Sequence, residues 1–189
     1  MIDLQKAEIA VAELLNALGV DEGEHTRDTP GRVAKAWAEA LAGYEQDPAR
    51  HLLRTFEAFD DPGLVIVGGV RVVSTCAHHL LPIVGHATVA YRPQASSEIV
   101  GLSKLARLVH GYSRRLQVQE RIGRQVVTAI QDNLAPVGSA CVISARHGCM
   151  EVRGVMQSNS VTTTHATSGE WTLSHPDMQA VMAEHARQG

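Results

Sequence analysis

The apolar residues of this chain change period twice, and that change restricts the available folds more than any other feature. Over residues 5–18, Val11, Leu14, Leu15 and Leu18 recur at helical spacing, and Gly19 follows where a helix would end. Thr29-Pro30 then offers a cap followed by proline at the first helical position. The helix predicted there buries Val33, Trp37 and Leu41, and Gly43 closes it. After Pro62 the pattern becomes extended. Leu64–Val67 and Val70–Val73 flank Gly68-Gly69, which fits a turn or a bulge, and His86–Tyr91 is a further β-rich run closed by Pro93. Helical spacing returns in Leu105, Leu108, Val109 and Tyr112, and again in Val118, Ile122, Val126, Ala129 and Ile130, with Pro136 and Gly138 as the stop. Ala140–Ala145 and a Thr-rich run around Val161–Thr164 predict two more strands, and the tail from Pro176 a short helix. Consecutive strand pairs imply antiparallel hairpins, so the fold class is α+β rather than a parallel α/β sheet.

Composition narrows the class further. With 189 residues, 44% of them hydrophobic and 20% charged, the chain can bury a core without staples, which excludes disordered, collagen-like and coiled-coil architectures. No apolar run of ~18 residues is present, so no membrane partner is expected. Met1–Glu8 has no basic start leading into an apolar stretch, which reads against a secretory signal and for a cytoplasmic location. A formal net charge of -3 argues against a dedicated nucleic-acid binder but leaves room for a local basic pocket. Three cysteines, an odd number, point away from a disulfide framework and toward metal or chemistry.

The ten histidines are clustered rather than evenly spread. Cys76-Ala77-His78-His79 ends a predicted strand, and Cys and His at that spacing can face one point. His147-Gly148-Cys149 ends another strand far downstream. Thiolates and imidazole suit zinc, and three such ligands would leave a fourth position open, as in catalytic rather than structural sites. Alone, C-x-x-H is a weak signal and reads rather as a buried thiol and a satisfied core histidine. The mirrored second cluster is what favours metal.

Cations gather at two helix starts. Arg32 and Lys35 follow Thr29-Pro30-Gly31, and Lys104 and Arg107 follow Ser103, itself a predicted N-cap. Both starts carry positive charge where the helix dipole favours acids, an arrangement suited to a polyanion and otherwise a solvated charged face. Gln119-Glu120 fits ordinary helix-start capping, and it fits equally a reader of guanine's donor edge. Arg153, close to Cys149, presents a planar fork suited to phosphate. Cys141 reads as core, Met178 and Met182 as core or interface, and His165, His175 and His185 as solvent-facing.

Taken together, Thr29–Lys35, Ser74–Pro82, Gly101–Arg107, Gln117–Arg121 and His147–Gly154 resemble the GTP cyclohydrolase I family in order and spacing. The resemblance implies a tunnelling fold, in which an antiparallel four-stranded sheet carries two long helices between its strand pairs. It divides the chain into an N-terminal helical segment, 1–60, and a catalytic domain, 61–189. It also implies a toroidal homodecamer of two pentameric rings with sites at subunit boundaries. By the same resemblance Cys76, His79 and Cys149 bind one zinc ion per subunit, and His78 and His147 transfer protons. Glu120 with Gln119 reads guanine, while Ser103, Lys104, Arg107 and Arg153 hold the triphosphate, joined by Arg32 and Lys35 of a neighbouring subunit. The implied reaction turns GTP and water into 7,8-dihydroneopterin triphosphate and formate, the first step of folate or pterin biosynthesis. Zinc-activated water attacks C8, His147 protonates the imidazole nitrogen, and Ser103 assists the sugar rearrangement. Ala77 stands where the family usually has an acidic residue, and 165–171 departs from the family pattern. Two rivals are a nitrile reductase of the same fold and a non-catalytic zinc-stabilised assembly module. The first lacks such a ligand set, and the second has no use for His78, His147 and the cationic helix starts.

Overall fold

Along the chain of the computed structural model run α1 (Leu4–Ala17), α2 (Thr29–Ala40), two 3₁₀ turns (Ala42–Tyr44 and Pro48–Leu53), β1 (Thr55–Glu57), β2 (Val65–Cys76), β3 (Pro82–Arg92), β4 (Glu98–Val100) and α3 (Leu102–Ser113). Then come β5 (Leu116–Gln117), α4 (Gln119–Leu134), β6 (Gly138–His147), α5 (Gly148–Glu151), β7 (Thr162–Gly169) and α6 (Pro176–Ala186). The structure describes residues 2–58 and 60–188. Met1 and Gly189, the outer limits of the two expected segments, lie outside the described residues, as does Phe59.

The main sheet has the order β5-β2-β3-β6-β7. Its four long strands are antiparallel, and the two-residue β5 joins β2 in parallel through Thr75 and Cys76. A separate small ribbon pairs β1 with β4. The fold is therefore α+β, and its strand order, with α3 and α4 between β3 and β6, is compatible with a tunnelling fold. Gly68-Gly69 resolves as a bulge: β2 runs straight through it with a register shift between Val67 and Val70, and Gly69 takes φ +67. β3 is longer than its β-rich run because both of its faces are covered, which hides the alternation that marks a half-buried strand.

One face of the sheet packs against α3 and α4. Leu105, Leu108 and Val109 of α3 and Ile122, Val126 and Ile130 of α4 are fully buried against Val72, Ile83, Val89 and Ile143. Each such side chain contributes ~1.5–3 kcal/mol of transfer free energy. α4 starts after extended Val118 and ends at Ala135, which takes a left-handed conformation just before Pro136. The other face carries α6, whose Met178 and Val181 bury against Ala90, Val142 and Trp171. Two polar devices fix α6 there. Arg92 donates to both carboxylate oxygens of Asp177 at 2.6 and 2.7 Å. His185 bridges two strands, bonded to Thr88 Oγ1 at 3.0 Å and Ser144 Oγ at 2.8 Å, and stacks on His86.

Several local expectations are corrected. The N-caps of α2 and α3 are Asp28 and Gly101, not Thr29 and Ser103, and neither supplies a side-chain cap bond. α2 buries Ala34, with Val33, Trp37 and Leu41 only half-buried. No residue of α1 is buried, and Leu14 and Leu18 of its apolar stripe are exposed. His185 is 6% exposed rather than solvent-facing, whereas His165 is exposed as expected and His175 accepts from the Asp177 N–H as the α6 cap. No helix among the described residues is long and apolar enough to cross a membrane.

Burial, and secondarily the neighbouring His86, holds the pKa of His185 below the ordinary histidine value of 6.5. A depressed histidine resists protonation in the folded chain, while the unfolded chain takes up the proton as pH falls. Its contribution is therefore present above pH 6.5 and lost below it. We expect the melting temperature to fall between neutral pH and the acid side of that value, at up to about 1.4 kcal/mol per pH unit for one proton. In His185→Asn the fall should be shallower, as read by thermal melts across that pH range.

Candidate active site

The site forms where three chain segments meet at one end of the sheet. The turn after β2 folds back so that Cys76 N–H donates to Leu81 O at 2.8 Å and Leu80 N–H to Cys76 O at 2.9 Å. Closing it requires Leu80 at φ +59, in the left-handed region, a conformation costing about 1 kcal/mol or more. Ala77 N–H donates to Gln117 O at 2.9 Å, which ties this turn to β5. Across β3, Thr75 pairs with Pro82 and Ile83 with His147. The end of β6 therefore arrives beside the turn, and α5 carries Cys149 into it.

Cys76, His79 and Cys149 converge there, with their ligand atoms within 4.8 Å of one another. The two sulfurs are 3.9 Å apart. Two thiolates bound tetrahedrally to zinc at ~2.3 Å would sit about 3.8 Å apart, so the donor set and its spacing fit that metal. Burial and the Cys76 sulfur push the Cys149 thiol upward, with Arg153 opposing. Two neighbouring thiols resist joint ionisation unless a cation lies between them. Cys141, by contrast, is fully buried in β6 and its thiol is pushed up to about 12, so it is an inert core residue.

Two histidines flank the ligand group. His78 Nδ1 lies 4.0 Å from the Cys76 sulfur and its ring is exposed. His147 is half-buried, with Nε2 2.8 Å from Gln119 Oε1. Burial lowers the pKa of His147, and Glu120 and Glu151 pull it partly back. Arg153 donates to His79 Nε2 at 3.2 Å, so its guanidinium reaches the ligand group directly.

The remaining expected residues divide by exposure. Ser103, Arg107 and Glu120 are exposed and Lys104 is half-buried; all lie in the first turn of α3 or α4 except Arg107, which is one turn further along α3. Gln119 differs. It is 1% exposed, and its amide is engaged with His147 and the sheet rather than with the open side on which Glu120 lies. Arg32 is exposed and pairs with Asp28 at 3.1 Å, and Lys35 is exposed one turn on. Sequence reasoning missed His51. It lies in the second 3₁₀ turn, where burial and then the charges of Arg50, Arg107 and Lys104 lower its pKa and favour its neutral form. No motif marks it, because a packing contact between that turn and α3 brings it in. Lys104, Arg107, Arg153 and Arg50 form no ion pair among the described residues.

Comparison with known proteins bears on this arrangement. The family model described as GTP cyclohydrolase I matches residues 7–186. A GTP cyclohydrolase 1 of Carboxydothermus hydrogenoformans is 44% identical over 97% of this chain and 95% of its own length. A second, of Desulforamulus reducens, is 45% identical over 89% of this chain and 90% of its own. A third, of Streptomyces avermitilis, is 46% identical over 89% and 84% respectively.

Metal binding at the three-residue group is directly measurable. The protein should take up one zinc or cobalt ion per chain, with cobalt giving thiolate-to-metal absorption. Cys149→Ser should weaken that binding by more than the ~10–100-fold typical of losing an outer hydrogen-bond partner. Unchanged affinity and absorption in the variant would remove Cys149 from the ligand set.

Proposed function

The chain belongs to the GTP cyclohydrolase I family, and on that premise we propose that it is a zinc enzyme converting GTP and water to 7,8-dihydroneopterin triphosphate and formate, at the entry to folate or pterin biosynthesis. The observation carrying this reading is the convergence of Cys76, His79 and Cys149 beside His78, His147 and the Arg153 guanidinium.

In this reading Cys76, His79 and Cys149 hold zinc. A zinc ion with three protein ligands keeps a position open and acts as a Lewis acid that makes water a competent nucleophile near neutral pH. Glu120 accepts from N1–H and the 2-amino group of guanine and so orients the base. Lys104, Arg107 and Arg153 bind the triphosphate, with Ser103 at the sugar, and the remote phosphates position C8. His147 and His78 handle the protons of ring opening. The lowered pKa of His147 keeps its ring neutral and able to accept a proton at neutral pH.

Assembly into a toroidal homodecamer completes the reading, with Arg32 and Lys35 reaching a neighbouring subunit's triphosphate. Three features support assembly. Residues Val65–Ser74 of β2 have no strand partner on their outer edge, and β7 has none on its own, among the described residues. Leu14 and Leu18 of the apolar stripe over α1 are exposed. A cavity of about 520 Å³ opens along the β2 edge between α2 and α3, lined by Ala36, Arg71, Val73 and Ser113 among others.

Zinc-loaded protein given GTP should release formate and form a fluorescent pterin. Cys149→Ser should abolish both, and Glu120→Gln should raise KM for GTP more than it lowers kcat. Absence of product from zinc-loaded wild type would overturn the reading and favour the assembly module. Light scattering should give a mass near ten chains. A monomer with full activity would refute sites shared between subunits.

A further inference from the structure

Gln119 is the most heavily bonded side chain near the site. It is 1% exposed, and its Nε2 lies 2.9 Å from Ile143 O, 2.9 Å from Thr162 O and 3.1 Å from Thr164 Oγ1. Two of these partners are backbone carbonyls, which can only accept. The end of the amide facing them must therefore be its NH₂ group, because the flipped amide would set Oε1 against two carbonyl oxygens. Oε1 is thereby fixed toward His147, 2.8 Å from Nε2. A carbonyl oxygen has no proton to give, so Nε2 of His147 must be the donor.

From this we infer that Gln119 is a positioning residue for His147, holding the ring with its proton on Nε2 and leaving Nδ1 as the nitrogen that exchanges protons. The inference rests on the reading of His147 as a proton-transfer residue. A proton accepted at Nδ1 gives an imidazolium whose Nε2–H stays on Gln119. Passing that proton to the substrate nitrogen restores the same tautomer, so the ring neither turns nor changes partner during turnover. A histidine without such an anchor divides between two tautomers and can rotate, and only part of its population is then competent.

The anchor also has a mechanical side. Gln119 is the first residue of α4, while Ile143 lies on β6 and Thr162 and Thr164 on β7. One amide thus joins the start of a helix to two strands and passes their rigidity to the imidazole at the end of β6. Preorganisation of a reacting group by locked neighbours is the general requirement for precise proton transfer.

A double-mutant cycle tests this. Gln119→Met keeps side-chain length but removes the acceptor. It should lower kcat by about ten- to a hundredfold, with KM for GTP little changed. Gln119→Glu, whose protonated carboxyl retains an acceptor toward His147 and one donor toward the sheet, should recover most of kcat. In a His147→Ala background, Gln119→Met should cost nothing further. A loss that adds to that of His147→Ala, or that appears in KM, would give Gln119 a role independent of His147 and overturn the inference. Wild-type activity of His147→Ala would overturn the reading of His147 itself, and the inference with it. Full kcat in Gln119→Met with an inactive His147→Ala would overturn the inference alone. Should Gln119→Met fail to fold, nitrogen-15 NMR of His147 in the wild-type protein decides: protonation at Nε2 is expected, and a proton on Nδ1 instead would refute the inference.

Discussion

Everything at the site depends on which residues β3 pairs with on its two sides. Cys76 and Cys149 come from segments that are not neighbours in the sheet, since β3 lies between β2 and β6. Their sulfurs approach to 3.9 Å because the first residues of β3 pair with Thr75 on one side and His147 on the other. A slip of one residue on either side would move a ligand by ~3.3 Å and turn alternate side chains to the wrong face. The core holds the register. Ile83, Ala87, Val89 and Tyr91 face α3 and α4 with no exposure, while Thr88 and Ala90 face α6. Gly85 adds a steric lock, because a Cβ there would come within 2.0 Å of the Ser144 carbonyl oxygen. The chemistry is thus positioned by packing that lies mostly outside the site.

This explains what could be read from the sequence and what could not. The changes of period showed the helices and strands, because amphipathic elements advertise the face they bury. The ligand clusters were legible because two of them, each mixing Cys and His, end separate strands, whereas either alone would read as core. Gln119 was not, since an amide at a helix start looks the same whether it faces solvent or plugs the gap between β6 and β7. His185 was missed for a related reason: its partners Thr88 and Ser144 lie on two other strands, and nothing near residue 185 signals them. Ser103 has the residue preference of a cap, whereas the backbone takes its extended entry two residues earlier, at Gly101. His51 reaches Lys104 and Arg107 only through tertiary packing.

Charge ties these observations together. Two thiolates at 3.9 Å would repel by roughly 4 kcal/mol at an effective dielectric of about 20, and the Cys149 thiol is pushed upward first by burial and then by the Cys76 sulfur. A dication between them replaces the repulsion with two attractions. The opposite holds at the start of α3, where Lys104 and Arg107 oppose the helix dipole, form no ion pair among the described residues and are felt by His51. A chain with a net charge of -3 could have neutralised these groups locally, and it does not. Both clusters are unfavourable in isolation, one for want of a cation and the other for want of an anion.

The edges of the fold obey the same logic of incompleteness. An antiparallel sheet with unpaired strands at both ends offers backbone donors and acceptors to any extended chain, and proteins normally protect such edges. Here the β2 edge is guarded only at Thr75 and Cys76 by the two residues of β5, and β7 is not guarded among the described residues. Joining β2 of one copy to β7 of the next would satisfy both edges at once and repeat around a closed ring without leaving a free strand. α2 lies beside the β2 edge, so the closure that satisfies the backbone would also carry Arg32 and Lys35 toward the neighbouring copy. Strand pairing and charge neutralisation would then be two consequences of one contact. A substitution that weakens the edge, such as proline within Val70–Val73, should therefore impair triphosphate binding as well as assembly, whereas Lys35→Ala should impair binding alone.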